Sequence, residues 1–466
     1  MSSLTDTIVQ DNNPLARLDQ VIFERVMETA RRLYQAILEH FDRLLLGARP
    51  GPLLVMHLRP VWLRTCLGVV RVRRRQYRDG QGRYRYLLDE ALGMARYRHA
   101  TAGIQEKAAS LAVRLPFRFS AELLKGMGCA PVSHETLRRW VGQLGDRAMA
   151  AMDKAVRTFL ATGALPESQD KKVERLFTEH DGVMVALQRE SARKAEVKLG
   201  IAYEGWQKVG HNRYRTSGKA VFATAGGGGR HWAGMLFKLH ERYDLTGLKT
   251  VIHGGDGAAW VRAGREWLGG CYQLDRYHLC RALRAALGRD SQSFHQVLDA
   301  CDEGRVEEAL AVLSGLKEKA RGEMAKQLDH ARRYLEVNRA GLVDYRRHLG
   351  ESARGLRRTG AIEGNVDKII AKRFKRQGMS WRLKGLSRLL AARLLYLEGK
   401  LPQWLPAATI LPPLPENAVR LARRMVNRNL KKSYDQWLQV TLSALNGPAS
   451  GRPWVETLRA LSRIPA

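Results

Sequence analysis

The stretch "VIHGGDGAAW", residues 251–260, decides the predicted fold. It begins with apolar residues typical of a short buried strand, and Asp256 then follows between two glycines. The next segment, "AAWVRAGREWL" at 258–268, has the apolar spacing of a helix. A strand that ends in a carboxylate makes Asp256 a candidate ligand, although an Asp-Gly pair is also common in ordinary turns.

Strands and helices alternate around this stretch. Residues 151–278 pass from a polar helix and linker into three β-rich runs, and then into helix, strand, helix and strand. The order β-β-β-α-β-α-β is that of an RNase H-like fold, in which helices flank a mixed sheet. We therefore predict an α/β catalytic core whose first three strands lie within 175–187, 195–207 and 219–226.

The rest of the C-terminal half is predicted to be helical. Residues 279–355 are highly charged and show no strand pattern, so we expect an all-helical insertion there. Residues 356–400 supply the final helices of the core, and 401–466 form a Pro-rich linker followed by a basic helical tail.

The N-terminal region is predicted to be mainly helical and to bind DNA. Residues 1–60 form a helical segment, and 61–150 contain a basic hairpin around "RDGQG" followed by a helix-turn-helix pattern. Ser120 and Ser133 are the expected helix caps. Leu137, Trp140, Val141 and Leu144 would face inward, which leaves His134, Arg138 and Arg139 to meet a major groove. A solvated hairpin and a helical hairpin that touches no DNA are the alternatives.

Net charge points to a polyanionic partner. The chain has 79 Lys and Arg against 46 Asp and Glu, a formal charge of +33, which fits nucleic acid or an acidic membrane surface. No apolar run is long enough to span a bilayer and the start lacks a secretory pattern, so we expect a cytoplasmic protein that does not engage membranes. The 7% aromatic content argues against a sugar-binding groove and hence against a glycosidase.

Three acidic residues fall at the ends of predicted elements. Asp181 follows the apolar part of the first strand, Asp256 ends the fourth, and Glu363 begins a helix. In an RNase H-like sheet the first and fourth strands are neighbours, so these carboxylates could together hold Mg²⁺ or Mn²⁺, as a pair of ions. Taken singly, Asp181 and Asp256 could equally be ordinary turn residues, and Glu363 could be a half-solvated residue at the edge of a buried helix face.

A basic segment follows Glu363. Its cations could contact phosphates, and Trp381 could stack on an unpaired base, with a core position as its alternative. The predicted phosphate contacts are Lys368, Lys372, Arg373, Lys375 and Arg376.

Four of these sequence segments resemble the motifs of a known protein family. The segments "HDGVMV", "GDGAAWVR", "LDRYHLCRAL" and "EGNVDKIIAKRFKRQGMSW" resemble the ISLre-type insertion-sequence transposases of bacteria, long filed as an uncharacterised protein family and related to the Mutator-type DDE enzymes. The resemblance covers roughly residues 65 to 400. It implies that Asp181, Asp256 and Glu363 are the catalytic, metal-binding triad.

The resemblance also implies a role for His278. With Asp275 it matches the Asp-or-Cys, two residues, His signature of the Mutator-type enzymes. His278 could shape the site or contact the scissile DNA; a structural His–Asp pair and a zinc site with Cys271 and Cys280 are the alternatives.

The function expected from these observations is DNA transposition. The protein would bind the terminal inverted repeats of its insertion sequence as a homodimer or larger assembly, cut double-stranded DNA, and join the 3′-hydroxyl to target DNA in the nucleoid. A DNA-binding protein without catalysis, and a structure-selective nuclease on the same fold, are the alternatives.

Overall fold

The computed structural model describes residues 14–49, 51, 53–94, 99–166, 172–288 and 291–405. These residues form two compact units. The first comprises the described residues up to 107 together with 121–132, and the second comprises 108–120 and 133–405. Of the predicted linker and tail, 401–466, residues 406–466 lie outside the described residues.

The first unit is built on a long helix and a three-stranded antiparallel sheet in the order β1-β2-β3. Buried and exposed side chains alternate along β1 from Val61 onward, and buried residues alternate with arginines along β2, so one face of the sheet packs on the helix. Its elements are α1 (Pro14–Gly47), β1 (Leu54–Thr65), β2 (Gly68–Arg78), β3 (Tyr84–Arg85) and α2 (Leu87–Ala91). They are followed by α3 (Ala102–Ala112) and α4 (Phe117–Gly126), each of which spans a boundary between the units.

The second unit carries a five-stranded mixed sheet in the order β10-β9-β4-β5-β8, with a separate β6–β7 hairpin. Strand β4 is antiparallel to β5 and parallel to β9, and β9 is parallel to β10. The strands are β4 (Arg175–Ala186), β5 (Lys194–Tyr203), β6 (Gly205–Gly210), β7 (Arg213–Ser217), β8 (Ala220–Thr224), β9 (Thr250–Gly255) and β10 (Cys271–Leu274).

Helices flank this sheet and fill the predicted insertion. The α-helices are α5 (His134–Thr162), α6 (Gly228–Arg242), α7 (Ala259–Arg262), α8 (Gly264–Leu268), α9 (Arg276–Leu287), α10 (Gln292–Asp302), α11 (Val306–Lys319), α12 (Gly322–Val337), α13 (Tyr345–Leu349), α14 (Ala361–Asn365), α15 (Lys372–Phe374) and α16 (Leu383–Leu397). A π-helix (Val366–Ala371) joins α14 to α15, and 3₁₀ turns lie at Arg339–Gly341, Gly350–Ala353 and Leu401–Trp404. None of the helices in the described ranges is both long and apolar enough to cross a membrane.

The predicted α/β class with a mixed sheet and flanking helices is confirmed. Among the described residues of 279–355 every regular element is helical, as expected for the insertion, and its apolar side chains form a core with β10 and α9. The sequence missed the β6–β7 hairpin, whose turn places Asn212 at a positive φ of 52°.

Two N-terminal predictions were wrong. Residues 54–60 belong to strand β1 rather than to a helical segment. They include Pro60, which is tolerated because β1 is an edge strand of its sheet. Ser120 does not cap a helix. It lies inside α4 and its hydroxyl donates to the Pro116 carbonyl at 2.9 Å.

Candidate active site

The site begins at two neighbouring strands of the mixed sheet. Strands β4 and β9 pair in parallel up to His180 and Gly255, so Asp181 and Asp256 follow at the same level of the sheet. Asp181 is buried, with 8% of its surface exposed, whereas Asp256 is half-buried. The Asp256 carboxylate accepts a hydrogen bond from the Ala258 backbone N–H at 2.9 Å, which fixes the turn into α7.

Glu363 is brought to this edge by a buried carboxylate on β4. Glu179 Oε2 accepts hydrogen bonds from the backbone N–H groups of Gly360 (2.9 Å) and Ile362 (3.0 Å), at the start of α14. Its other oxygen accepts from the Tyr203 hydroxyl. Burial raises the pKa of Glu179, and the hydrogen bond from Tyr203 and those from the backbone oppose the rise. Glu179 therefore holds the short helix whose first turn presents Glu363.

His278 enters from the first turn of α9. Asp275 caps this helix through a hydrogen bond from the Tyr277 N–H at 2.8 Å, and its own N–H donates to the Gly255 carbonyl at 2.8 Å. His278 Nδ1 lies 3.4 Å from Asp275 Oδ2 and 3.7 Å from Glu363 Oε1. Neither the His278 Nδ1 atom nor Asp275 Oδ2 has a well-aligned hydrogen bond among the described residues, although both are buried.

Asp181, His278 and Glu363 converge. One potential ligand atom from each lies within 4.8 Å of the other two. Burial, together with the charges of Asp256 and Glu363, raises the pKa of Asp181 to about 6, although His278 opposes the rise. Burial lowers the pKa of His278, but the Asp275, Asp181 and Asp256 carboxylates outweigh it and raise the pKa overall. Negative charge is therefore costly here, and a cation would relieve the cost.

The structure therefore brings only two of the three predicted triad residues into one group. The structure brings Asp181 and Glu363 together with His278, and it leaves Asp256 adjacent, close enough to raise the pKa of Asp181 but outside that group of three. Cys271 and Cys280 are not members of the group. Sequence reasoning missed Glu179, although it precedes Asp181 by two residues and so shares its face of β4.

Three buried histidines lie on the other face of β4 and β9. His180 Nδ1 and His231 Nε2 are 3.0 Å apart, and His253 bonds Thr178 at 3.0 Å and the Val261 carbonyl at 2.6 Å. Burial lowers the pKa of His231 to about 3 and that of His253 to about 4. These imidazoles are uncharged at neutral pH and support the strands beneath the acidic residues.

The basic segment after Glu363 divides into exposed and buried cations. Lys368, Lys372, Lys375 and Arg376 are exposed, and two of them pair with Asp367: Lys372 at 3.2 Å and Arg376 at 2.7 Å. Arg373 is only 1% exposed and donates to the Ala112 carbonyl at 3.0 Å. We assign Arg373 a structural role in place of the predicted phosphate contact, because its guanidinium faces the protein interior.

Trp381 is half-buried at the end of this segment. Its indole N–H donates to the Phe374 carbonyl at 3.0 Å. Its backbone N–H donates to the carbonyl of Ala186, the last residue of β4, and its carbonyl accepts from the Gln188 N–H. This arrangement favours the core alternative for Trp381.

The predicted recognition residues lie outside the acidic cluster, on the first turns of α5. Ser133 caps this helix, with the Thr136 N–H donating to its hydroxyl at 3.2 Å, as predicted. His134, Arg138 and Arg139 are exposed, and Arg138 pairs with Glu135 at 2.6 Å. Leu137, Val141 and Leu144 are buried, whereas Trp140 is half-buried. The outward side chains are therefore available, and DNA contact by them stays a prediction.

Comparison with known proteins shows that a family model matches most of this chain. Residues 9–404 match the model of an uncharacterised protein family, UPF0236. A UPF0236 protein of Caldanaerobacter subterraneus subsp. tengcongensis, whose name joins eleven designations, is 24% identical over 409 residues, covering 86% of this chain and 81% of the relative. A second UPF0236 protein of that organism is 24% identical over 388 residues, covering 81% and 78%.

Proposed function

We propose that this chain, which belongs to the uncharacterised protein family UPF0236, is a DDE-type DNA transposase. It would bind the ends of its own insertion sequence, cleave the DNA with a divalent cation, and join the ends to a target. The observation that carries the proposal is the convergence of Asp181, Glu363 and His278, with Asp256 at the end of the neighbouring strand.

The sheet supports an RNase H-like core. Its first strand, β4, lies between the second, β5, and the fourth, β9, which is the adjacency expected of that fold. The β4–β5–β8 part is antiparallel, and β9 and β10 run parallel to β4. Acidic residues at the first and fourth strands and on a later helix are then neighbours for a topological reason.

The donor set suits a divalent cation. Carboxylate oxygens are ligands for Mg²⁺ and Mn²⁺, and an imidazole in reach favours Mn²⁺ of the two. The buried His278 Nδ1 and Asp275 Oδ2 atoms, which lie 3.4 Å apart without a well-aligned hydrogen bond, fit a site that gains a cation. When bound, a pair of such ions would activate an attacking oxygen and stabilise a leaving one in phosphodiester substitution.

The chain's own residues would orient this chemistry. Glu179 fixes the backbone that bears Glu363, and Asp275 lies beside His278 at the start of α9. Since the cation competes with protons for the same carboxylates and imidazole, its binding should release protons. Exposed cations such as Lys368 and Lys375 would hold the DNA phosphates near the acidic edge.

The relatives add a second line of support. One relative's name joins eleven designations within a single organism. Repeated occurrence of one protein in one genome is what an element that copies or moves itself would produce.

The testing experiment uses the full chain and DNA from both flanks of its own gene. We expect Mn²⁺-dependent strand cleavage that leaves a 3′-hydroxyl, followed by joining to a plasmid target. Asp256→Asn should abolish both steps, and Glu174→Gln, at an exposed carboxylate next to β4, should abolish neither. Cleavage without joining would favour a nuclease, and unchanged cleavage by Asp256→Asn would refute the proposed site.

A further inference from the structure

The outward face of the β1–β2 ribbon is basic and carries an exposed tryptophan. Val61, Leu63, Val70 and Val72 point inward and are buried. The intervening residues pair across the ribbon on the opposite face, Pro60 with Arg73, Trp62 with Arg71 and Arg64 with Val69. We call these six residues the Trp62 face.

Trp62 is unusually open for its size. It is 60% exposed, and the Arg71 guanidinium lies over its ring at 5.7 Å from the centroid. Tryptophan on a strand surface usually packs against a neighbour, because exposing so large an apolar area to water is unfavourable. The open ring is therefore a candidate contact for a flat, aromatic partner.

Two of the three arginines of the Trp62 face are available to an anion. Arg73 is paired with Glu39 at 3.3 Å. Arg64 and Arg71 are exposed and, within the part of the chain that the structure describes, have no carboxylate at ion-pair distance. A surface that combines arginines lacking a carboxylate partner with an indole that is 60% exposed matches the two parts of a nucleotide, its phosphate and its base.

We propose that the Trp62 face binds single-stranded DNA, with an unpaired base stacked on Trp62 and the flanking phosphates held by Arg64 and Arg71. A paired duplex offers only base edges and backbone to a flat surface, so stacking requires a base that is out of the helix. The inference rests on the proposed function, which makes DNA the substrate.

The experiment measures binding apart from catalysis. Full-length Asp181→Asn protein in EDTA is titrated into a labelled single-stranded oligonucleotide and into a blunt duplex of the same sequence, with fluorescence anisotropy as the readout. Adding Trp62→Ala should weaken single-strand binding about tenfold, as expected when one base can no longer stack. Duplex affinity should change less than about twofold, and Trp62→Phe should restore most of the single-strand affinity.

Two further variants sharpen the result. Met324→Ala removes a side chain that is also 60% exposed, in the helical insertion, and should leave both affinities unchanged. Arg64→Gln with Arg71→Gln should weaken binding and reduce the slope of log affinity against log salt by about 0.7 for each phosphate that is no longer neutralised.

Three results would overturn the inference. Trp62→Ala could leave single-strand binding unchanged, or it could weaken the duplex equally, which would mean general contact rather than stacking. It could also change the oligomeric mass while sparing DNA affinity, which would make the face a protein interface. If the variants change single-strand binding as expected but the wild-type chain does not cleave DNA, only the proposed function is refuted.

Discussion

Glu179 Oε2 accepts a hydrogen bond from the backbone N–H of Ile362 at 3.0 Å, so a buried strand residue holds the helix whose first turn contains Glu363. The same oxygen accepts from the Gly360 N–H at 2.9 Å. Two residues along β4, Asp181 contributes to the acidic cluster itself. One strand thus supplies both a proposed ligand and the support for a second.

We expect Glu179→Gln to impair the positioning of Glu363. The amide has a single acceptor oxygen, so either the two backbone N–H groups or the Tyr203 hydroxyl loses its carboxylate acceptor, at a cost of about 1 to 3 kcal/mol of stability. The Mn²⁺ concentration for half-maximal cleavage should rise about tenfold or more. Tyr203→Phe, which removes the partner of the other oxygen, is the matched control. It should lower stability without moving that Mn²⁺ concentration, and equal shifts in both variants would count against positioning.

Asp275 and His278 should act as a pair. His278→Ala removes the imidazole from the acidic cluster, and we expect cleavage to fall by about 10- to 100-fold. Asp275→Asn keeps a side-chain oxygen to cap α9 but removes the charge that raises the pKa of His278, so its loss should be of similar size. The double variant should be no worse than the more damaging single one. Independent, multiplicative losses in single-turnover assays would show that the two residues do not work together.

The buried histidines should make the fold sensitive to acid. Burial lowers the folded-state pKa of His231 to about 3, below the ordinary value near 6.5 of an unfolded chain. Protonation then favours unfolding. The contribution of the neutral, buried histidine to the free energy of unfolding is therefore fully present above about pH 6.5 and is lost as the pH falls below that value. At pH 5 the loss should be roughly 2 kcal/mol for each such histidine. Urea unfolding at pH 7 and at pH 5 measures this difference in the free energy of unfolding.

His231→Gln is the variant that isolates this effect. It lowers stability at pH 7 but should reduce the difference between pH 7 and pH 5 relative to the wild-type chain. An unchanged difference would mean that other groups cause the acid sensitivity.

Arg373 and Lys375 should separate structure from DNA binding. Arg373 is buried and bonds a backbone carbonyl, so Arg373→Ala should lower the free energy of unfolding by about 2 kcal/mol or more. Lys375 is exposed, so Lys375→Ala should leave stability within about 0.5 kcal/mol and weaken duplex binding with a smaller salt slope. Thermal unfolding and anisotropy on the same samples test both. A stable Arg373→Ala protein with selectively weakened DNA binding would reverse our assignment.

The element order of the second unit could be predicted from sequence because its apolar runs and glycine-rich breaks are strong local signals. The runs at 175–187 and 249–257 became β4 and β9, and the acidic residues fell where a parallel pair would bring them together. The place of Glu363 at this edge depended on the order of elements along the chain rather than on any contact visible in sequence.

What could not be predicted depends on contacts between distant segments. Nothing local marks Glu179 as the acceptor for N–H groups more than 180 residues later, and in sequence it looks like a charge on a strand. Arg373 sits in a run of exposed cations, and only packing against α3 and Trp381 shows that it is buried. His278 was assigned by resemblance, and its distance to Glu363 comes from the fold.

The central claim is that Asp181, Glu363 and His278, with Asp256 beside them, form a divalent-cation site. Calorimetric titration of the full chain with Mn²⁺ tests it most directly, with Asp181→Asn and Glu363→Gln as variants and the exposed Glu174→Gln as control. We predict saturable Mn²⁺ binding by the wild-type and Glu174→Gln proteins, weakened at least about tenfold in the two site variants. Absence of binding by the wild-type chain, or equal binding by all four proteins, would contradict the claim.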